Sequence, residues 1–244
     1  MRSNERHLDL RVFLDVLEAD DPGSVLHIPE QVGLDFDVTA VAMELEKQGR
    51  APVIRFDKVG ASPFPVVTNL FGDRGRYARA LGVAEEELIE TWAGLGEKTI
   101  EPVVQETGPV LDVVTTGADV DLTSLPILNH FAEDGGRYVT NGIVVAKDPD
   151  TGVRNASYHR LQVMGKTRFG TSLHSRRHLW NYAQRAAARD EPIPVSIVIG
   201  HHPLFAFGSG LWKGPIDVDE YAVAGGFMGR PLDLVEGVTV PVEA

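Results

Sequence analysis

The run DGGRYVTNGIVVAKDPDTGVRNASYHR, residues 134–160, constrains the fold of this chain more than any other part of its sequence. Residues 138–147 are rich in Val and Ile, which favour β-strands. The Asp-Pro-Asp-Thr-Gly sequence at 148–152 is typical of a tight turn, because proline fixes φ and glycine accepts a positive φ. Residues 153–164 then return as a second strand, so the run predicts a β-hairpin.

The return strand is unusually polar for its apolar setting. It carries Arg154, Asn155, Ser157, His159, Arg160 and Gln162. A strand of this kind is either a solvated edge or the wall of a binding site. These residue types can hold an anionic cofactor, a metal ion and a carboxylate, which favours the binding site.

Arg160 is the charge on this strand that most needs a partner. Its guanidinium does not deprotonate, so a buried Arg160 must pair with a carboxylate or a phosphate. A substrate carboxylate is one such partner, and an outward-facing arginine on an exposed strand is the alternative. Strict alternation places Asn155 and Arg160 on opposite faces, so lining one cavity together requires a bulge or a strong twist between them.

Composition excludes several classes of partner. The chain has 244 residues, of which 43% are hydrophobic, and a formal net charge of -12. Without an excess of Lys and Arg to neutralise phosphates, we expect neither nucleic acid nor an anionic membrane as a partner. A local cationic cluster that could attract a small anion is the exception: Arg168, His174, Arg176, Arg177 and His178.

The chain contains no cysteine, which excludes disulfides, thiolate metal sites and thiol nucleophiles. Its first residues, MRSNERHLDL, lack the apolar core of an export signal, and no apolar run approaches the length of a membrane span. These features predict a cytoplasmic enzyme with no membrane span.

Hydrophobic periodicity predicts a mixed α/β (α+β) chain of two domains, residues 1–110 and 111–244. The first is a small α/β unit with helices at 8–19, 38–48, 75–80 and 84–94 and strands at 24–28 and 52–56. A proline-containing connection covers residues 98–130. The second is mainly β, with strands at 138–147, 153–164, 166–170 and 193–200 and one helix at 175–188. The closing residues are extended, which suits either a truncation or a natural terminus.

Asn155, His178 and Glu220 form a candidate metal-binding set. A carbonyl oxygen, an imidazole and a carboxylate together suit Mn²⁺, Mg²⁺ or Fe²⁺. The alternative is a turn asparagine, a surface histidine and an exposed glutamate at the start of a helix. His174 and His178 are four residues apart and would share one face if both lay on the helix, so one of them could also be a ligand.

The Gly208-Ser209-Gly210 stretch follows the apolar strand VSIVIG. Its backbone groups could surround a phosphate or a cation, although a plain loop is the alternative. The stretch lacks both the GxGxxG spacing of dinucleotide-binding proteins and the lysine of a P-loop, so neither fingerprint applies.

Three segments in order carry a resemblance to a known family: the hairpin 134–160, HSRRHLW at 174–180, and DEYAVAGGFMGRPLDLVEG at 219–237. Together they resemble the UbiD family of reversible decarboxylases, which use prenylated FMN made by a flavin prenyltransferase. The resemblance covers most of the chain and is strongest from Gly135 to Gly237. It implies a flavin-reductase-like split β-barrel after the N-terminal unit.

The resemblance also implies roles for individual residues. A divalent metal, usually Mn²⁺, would be held by Asn155, His178 and Glu220, with K⁺ beside it. Arg160 would be the catalytic residue that holds the substrate carboxylate. The remaining cofactor-binding residues would be Thr140, Ser157, Tyr158, His159, Arg177, Ser209 and Gly210.

Members of this family are roughly twice as long as this chain. Their AEIVLEG-like strand and its glutamates begin about where this sequence stops, and their C-terminal, oligomer-building domain is not present. We therefore expect a reversible non-oxidative decarboxylase of an aromatic or α,β-unsaturated carboxylic acid, or only its cofactor-binding portion. With the tail, the resemblance implies a homo-oligomer.

Two other interpretations of the sequence stay open. One is a non-catalytic flavin-binding or partner subunit that needs a second polypeptide to complete its active site. The other is an ordinary FMN oxidoreductase with a split barrel. The metal set counts against the second, because ordinary flavin barrels hold phosphate with Arg, Lys and Ser.

Overall fold

The computed structural model describes residues 9–237 and 241–243, and its N-terminal part alternates helices with strands. These elements are α1 (Leu10–Asp20), β1 (Val25–Val32), α2 (Asp37–Lys47), β2 (Val53–Val59), β3 (Val66–Thr68), α3 (Arg74–Leu81) and α4 (Leu88–Leu95). β1 and β2 pair in parallel, and β3 joins β2 antiparallel. The predicted helices and strands of this region are therefore confirmed, with ends shifted by a few residues.

The connection after α4 has little regular structure, as its prolines predict. It contains one short strand, β4 (Val103–Gln105), and three single 3₁₀ turns at 109–111, 117–119 and 122–124. β4 pairs in parallel with a strand from the end of the chain. The connection thus returns to the rest of the molecule at one edge.

The second half is richer in strands. Its elements are β5 (Tyr138–Val139), β6 (Ile143–Lys147), β7 (Arg154–Tyr158), β8 (Leu161–Gly165), β9 (Arg168–Thr171), α5 (His178–Ala187), β10 (Val195–Val198), α6 (Pro203–Ala206), a π-helical turn (Phe207–Leu211), α7 (Glu220–Met228), β11 (Asp233–Glu236) and β12 (Pro241–Glu243).

The predicted hairpin is present, but its two long strands are each broken in two. β6 and β7 pair antiparallel around the 148–152 turn, where Gly152 has a φ of 76°. β5 and β8, the outer parts of the same run, belong to a different sheet with β9. The chain changes sheets at His159 and Arg160, which lie outside any strand. The expectation of one continuous strand over 153–164 was therefore wrong.

Buried hydrophobic side chains join the two halves. The largest cluster among the described residues runs from Phe13 in α1 to Leu234 in β11. Every residue of α7 is buried, and a Cβ on Gly226 would lie 1.6 Å from the Lys98 carbonyl oxygen. α7 is thus the central helix of the molecule, and glycine is required where the backbone of the connection crosses it.

The mixed α/β fold class is confirmed. The described strands form four three-stranded sheets, β1-β2-β3, β10-β6-β7, β12-β11-β4 and β5-β8-β9. Among the described helices, none has both the length and the apolar character needed to cross a bilayer. The domain boundary near residue 110 stays a prediction, which limited proteolysis would test.

Candidate cofactor and metal site

The site forms where β7 meets the first turn of α7. Asn155 and Glu220 are 65 residues apart in sequence, yet the Asn155 side-chain amide donates a 2.9 Å hydrogen bond to Glu220 Oε1. The backbone N–H of Ala156 donates to Glu220 Oε2 at 3.3 Å. Both side chains are buried, with exposed fractions of 4% for Asn155 and 3% for Glu220. The fold therefore places two of the predicted ligands in contact.

Glu220 is a buried carboxylate, and no Lys or Arg of the described residues forms an ion pair with it. Burial raises its pKa to about 8, although the hydrogen bonds from Asn155 and from the backbone oppose the shift. Its only ion-pair geometry in the described chain is with a histidine, which is charged only when protonated. The ionised form of Glu220 therefore needs a positive charge that the described side chains do not supply.

His178 is the histidine that approaches this carboxylate. It is the first residue of α5, and its Nδ1 lies 3.6 Å from Glu220 Oε1. Burial lowers the pKa of His178, and the neighbouring charge of Arg177 lowers it further. A neutral imidazole is the form that coordinates metals. The structure thus brings together all three residues of the predicted metal set.

A polar chain extends from Asn155 along β7. Ser157 Oγ donates to Asn155 Oδ1 at 3.2 Å and lies 2.9 Å from His159 Nε2. Because the hydroxyl has one proton, this arrangement assigns a proton to His159 Nε2, which donates to Ser157. Burial lowers the pKa of His159, and the Arg177 charge adds to the effect. Ser157, His159 and Arg177 therefore border the same carboxylate-centred site.

Tyr158 points to the other face of β7, as alternation requires. Its hydroxyl lies 3.2 Å from His201 Nε2, and burial lowers the pKa of His201 to about 4. The Tyr158 ring fills the space beside Gly210, where a Cβ would come within 2.5 Å of it. Ser209 is buried, and its hydroxyl donates to the Phe205 carbonyl at 2.6 Å. The predicted loop at 208–210 is thus a π-helical turn packed under β7.

Arg160 and Thr140 line a cavity instead of the carboxylate site. The cavity has a volume of about 600 Å³ and lies between α2 and the segment 128–140. The Arg160 side chain is exposed, and within residues 9–237 no ion pair or hydrogen bond engages its guanidinium. Asn155 and Arg160 therefore do not line one cavity, and the strand break at residues 159–160 separates them.

The donor set fits a divalent cation. Among the described residues, no three side chains of the His, Cys, Asp and Glu types converge on one point, so Asn155 would have to supply the third ligand. An amide oxygen, an imidazole and a carboxylate suit Mn²⁺ or Mg²⁺. In the structure the amide nitrogen of Asn155 faces Glu220, and rotation of the amide group would present its oxygen.

Sequence reasoning assigned no role to two charged residues at this site, Arg154 and Asp219. They form a short ion pair directly beside Asn155 and Glu220. The available signal was the polar character of the return strand and the adjacent acidic residues that open the 219–237 segment. Pairing between residues so distant in sequence is not visible in either motif.

Comparison with known proteins identifies the family. Residues 101–244 match the 3-octaprenyl-4-hydroxybenzoate carboxy-lyase Rift-related domain, and residues 16–95 match the N-terminal domain of the same carboxy-lyases. Because these two matches cover most of the chain, it belongs to the UbiD family. The resemblance inferred from the three sequence segments is confirmed.

Individual relatives share both sequence and structure with the chain. The anhydromevalonate phosphate decarboxylase of Methanothermobacter thermautotrophicus is 33% identical over 96% of this chain and 52% of its own length. The UbiD-class enzyme HmfF from Pelotomaculum thermopropionicum, solved with FMN, is 35% identical with a TM-score of 0.87, over 96% of this chain and 52% of that one. An evolved dimeric form of HmfF, solved with prFMN, has a TM-score of 0.88 and 34% identity, over 96% of this chain and 54% of that one.

The chain spans about half the length of the curated relatives it matches. The shared part includes both the N-terminal domain and the residues that form the carboxylate-centred site. The activity, substrates and partners of the relatives are therefore only proposals for this chain.

Proposed function

We propose that this chain is the prenylated-FMN-binding part of a reversible, non-oxidative decarboxylase. Its substrate would be a small aromatic or α,β-unsaturated carboxylic acid. The observation that carries the proposal is that Asn155 and His178 approach the buried carboxylate of Glu220, so that ligands from three separate elements meet at one place. The complexes of HmfF with FMN and prFMN support a flavin as the cofactor.

The phosphate of the cofactor would be held through a divalent cation, Mn²⁺ in the first instance. Asn155, His178 and Glu220 would be its protein ligands, and K⁺ would lie by the 209–210 turn. Arg177, Ser157 and His159 border this position and supply positive charge and hydrogen bonds for an anion. Thr140, on the wall of the Arg160 cavity, completes the proposed cofactor-binding set together with Tyr158, which would contribute through its backbone because its side chain points to the other face of β7.

When bound, prenylated FMN supplies an electron sink for the electron pair that is released as CO₂ leaves. The role of the protein is to bind and orient. Arg160 lies on the wall of the 600 Å³ cavity, and no described residue engages its guanidinium, so it can hold the substrate carboxylate. Holding the acid in one orientation lowers the entropic part of the barrier.

The proposal extends to the cellular setting. A flavin prenyltransferase would supply the cofactor, and the enzyme would act in the cytoplasm. A homo-oligomer is proposed for a polypeptide of the relatives' length, and the solved dimeric form of HmfF supports assembly in this class.

A second candidate is a cofactor-binding subunit that completes its active site with another polypeptide. It is favoured by the lack of an acidic partner for Arg160 within residues 9–237. The second half of a relative's length can be added on the same chain or as a separate polypeptide. The arrangement that restores activity distinguishes the two candidates.

The test is a cofactor and metal analysis of the chain co-expressed with a flavin prenyltransferase. We expect prenylated FMN by absorption and mass spectrometry, with about one Mn²⁺ per chain. His178→Ala and Glu220→Ala should lose most of the metal, whereas the exposed His174→Ala control should keep it. Excess EDTA should release flavin together with Mn²⁺. Equal metal content in all variants would reject the ligand set, and flavin retained after metal removal would reject the bridging role.

A further inference from the structure

Arg154 and Asp219 form an ion pair at the junction of β7 and α7. Arg154 Nε donates to Asp219 Oδ2 at 2.8 Å, and Arg154 Nη2 lies 2.7 Å from the same oxygen. Each side chain is 17% exposed, so the pair is largely shielded from solvent. The guanidinium also lies over the Tyr221 ring, 5.5 Å from its centroid. Two donors and an aromatic face fix the orientation of Arg154.

The second carboxylate oxygen of Asp219 accepts a hydrogen bond from helix α7 itself. Asp219 is the N-cap of α7, and its Oδ1 accepts a 2.9 Å hydrogen bond from the Tyr221 backbone N–H. One carboxylate therefore joins the first turn of α7 to the first residue of β7. Such a cap also sets where the helix begins, and hence where its first side chain points.

Each member of the pair directly precedes a proposed metal ligand. Arg154 is followed by Asn155 on β7, and Asp219 is followed by Glu220 on α7. We propose that the Arg154–Asp219 pair fixes the separation of Asn155 and Glu220 for a divalent cation, and we call this pair the clamp. This inference rests on the proposed metal site. Arg154 and Asp219 are positioning residues and do not bind the metal themselves.

The clamp is not needed simply to hold α7 in the fold. Every residue of α7 is buried, and its apolar side chains belong to the largest core cluster. The burial of this apolar surface stabilises the position of the helix far more than one partly exposed ion pair does. Metal coordination, in contrast, depends on ligand positions within a few tenths of an ångström, and residues that orient ligands change metal affinity strongly.

Because the two residues have opposite charges, the direction of the change in Mn²⁺ affinity distinguishes a clamp from a purely electrostatic effect. If the pair acted only through its electric field, removing the positive charge of Arg154 would strengthen Mn²⁺ binding, and removing the negative charge of Asp219 would weaken it. A clamp predicts weaker binding in both cases. Asp219→Asn keeps a side-chain oxygen for the helix cap while it removes the charge that Arg154 binds.

The experiment measures the Kd for Mn²⁺ by electron paramagnetic resonance of the free ion, with the 244-residue chain and no flavin. We expect Arg154→Gln and Asp219→Asn each to weaken binding by roughly 10-fold or more. The double variant should be no weaker than the worse single variant, because either change already opens the clamp. Arg154→Lys should fall between wild type and Arg154→Gln. Arg55→Gln, which breaks the Arg55–Asp57 pair on β2, is the matched control and should bind as wild type does.

Urea denaturation without metal separates positioning from general stability. A merely structural pair would lower the denaturation midpoint and leave the Kd of the folded protein unchanged, which overturns the clamp. Tighter binding by Arg154→Gln also overturns it, in favour of a field effect. If Arg154→Gln does not fold, Asp219→Asn and Arg154→Lys decide on the same criterion. Wild type that binds no Mn²⁺ would reject the proposed metal site and the clamp together, whereas wild-type binding with unaffected variants rejects the clamp alone.

Discussion

Glu220 dominates the electrostatics of the candidate site at the scale of single residues. It is the only charged residue in the buried helix α7, and its first-turn position brings it against Asn155 and the Ala156 backbone. These hydrogen bonds only partly replace the water lost on burial, so the neutral form is favoured. A divalent cation would reverse this preference, because it stabilises the carboxylate directly.

The first prediction concerns the pH dependence of stability without metal. The pKa of Glu220 is raised from 4.5 to about 8 in the folded chain, so between these values the folded state binds more protons than the unfolded state. Relative to a variant that stays neutral at position 220, the free energy of unfolding of the wild type should therefore fall as pH rises through this window, by up to about 1.4 kcal/mol per pH unit. Urea denaturation in EDTA from pH 5 to pH 8 measures this slope.

Two controls isolate the contribution of Glu220. Glu220→Gln, which stays neutral, should lack the fall caused by Glu220 over the same range, and saturating Mn²⁺ should restore stability of the wild type near pH 8. A wild-type slope identical to that of Glu220→Gln would show that other groups control the pH dependence.

The second prediction concerns Arg160. Because its proposed partner is the substrate carboxylate, Arg160→Ala should retain flavin and Mn²⁺ but lose turnover by roughly 100-fold or more. The assay needs an active preparation, which a polypeptide of the relatives' length or recombined halves would provide. Arg168→Ala, an exposed arginine on β9, is the control and should leave turnover unchanged. Near-normal turnover of a flavin-loaded Arg160→Ala enzyme would refute the role.

At the scale of elements, the π-helical turn at 207–211 and helix α7 pack with almost no separation between their backbones. A Cβ on Gly208 would lie 2.3 Å from the Ala224 Cα and 2.6 Å from its backbone nitrogen. Because the overlapping atoms of α7 are backbone atoms, no side-chain movement could relieve the overlap. Glycine at 208 therefore permits the contact that holds α7, and with it Glu220, under β7.

The third prediction follows from this contact. Gly208→Ala should destabilise the fold by about 1–3 kcal/mol, because the overlap forces the turn and α7 apart. Gly94→Ala is the matched control: Gly94 lies in α4 with open space around its Cβ position, so alanine there should be neutral or stabilising by up to about 1 kcal/mol. Urea denaturation of both variants measures the difference. Equal stability of Gly208→Ala and wild type would mean that the two elements can separate at no cost.

At the scale of the whole molecule, the largest hydrophobic cluster of the described chain contains residues of both the N-terminal α/β unit and the strand-rich second half. The proposed cofactor residues all lie in that second half, whereas the cavity beside Arg160 is walled on one side by α2. The N-terminal unit therefore contributes to the surroundings of Arg160 as well as to stability.

The fourth prediction concerns activity of the 244-residue polypeptide. Loss of CO₂ leaves a carbanion equivalent that a positioned acid must protonate, and no acidic side chain in the described chain pairs with Arg160. We therefore expect the cofactor-loaded polypeptide alone to show little CO₂ release or deuterium exchange. The assay should span cinnamic, phenolic and heteroaromatic acids. Robust turnover would mean that an acid within these residues, such as Asp134 by the Arg160 cavity, donates the proton.

Much of the local structure followed from the sequence alone. Periodicity predicted the helices α1 to α5, and the 148–152 turn predicted the β6–β7 hairpin. These features depend on interactions between residues close in sequence, which a local pattern records. The three motif segments also identified the family. The ligand set Asn155, His178 and Glu220 came from the same resemblance, and it remains a proposal for its metal.

Only the tertiary structure decided how these segments meet. The break at His159 and Arg160 directs β7 and β8 into different sheets, which the continuous polar pattern did not predict. The burial of Glu220 and the Arg154–Asp219 pair join residues about 65 positions apart in sequence. The sequence by itself determined helices α1 to α5 and the turn of the β6–β7 hairpin, because those features depend on local patterns. The fold determined which charges lose their water and which partners they find, because burial arises only when distant elements pack.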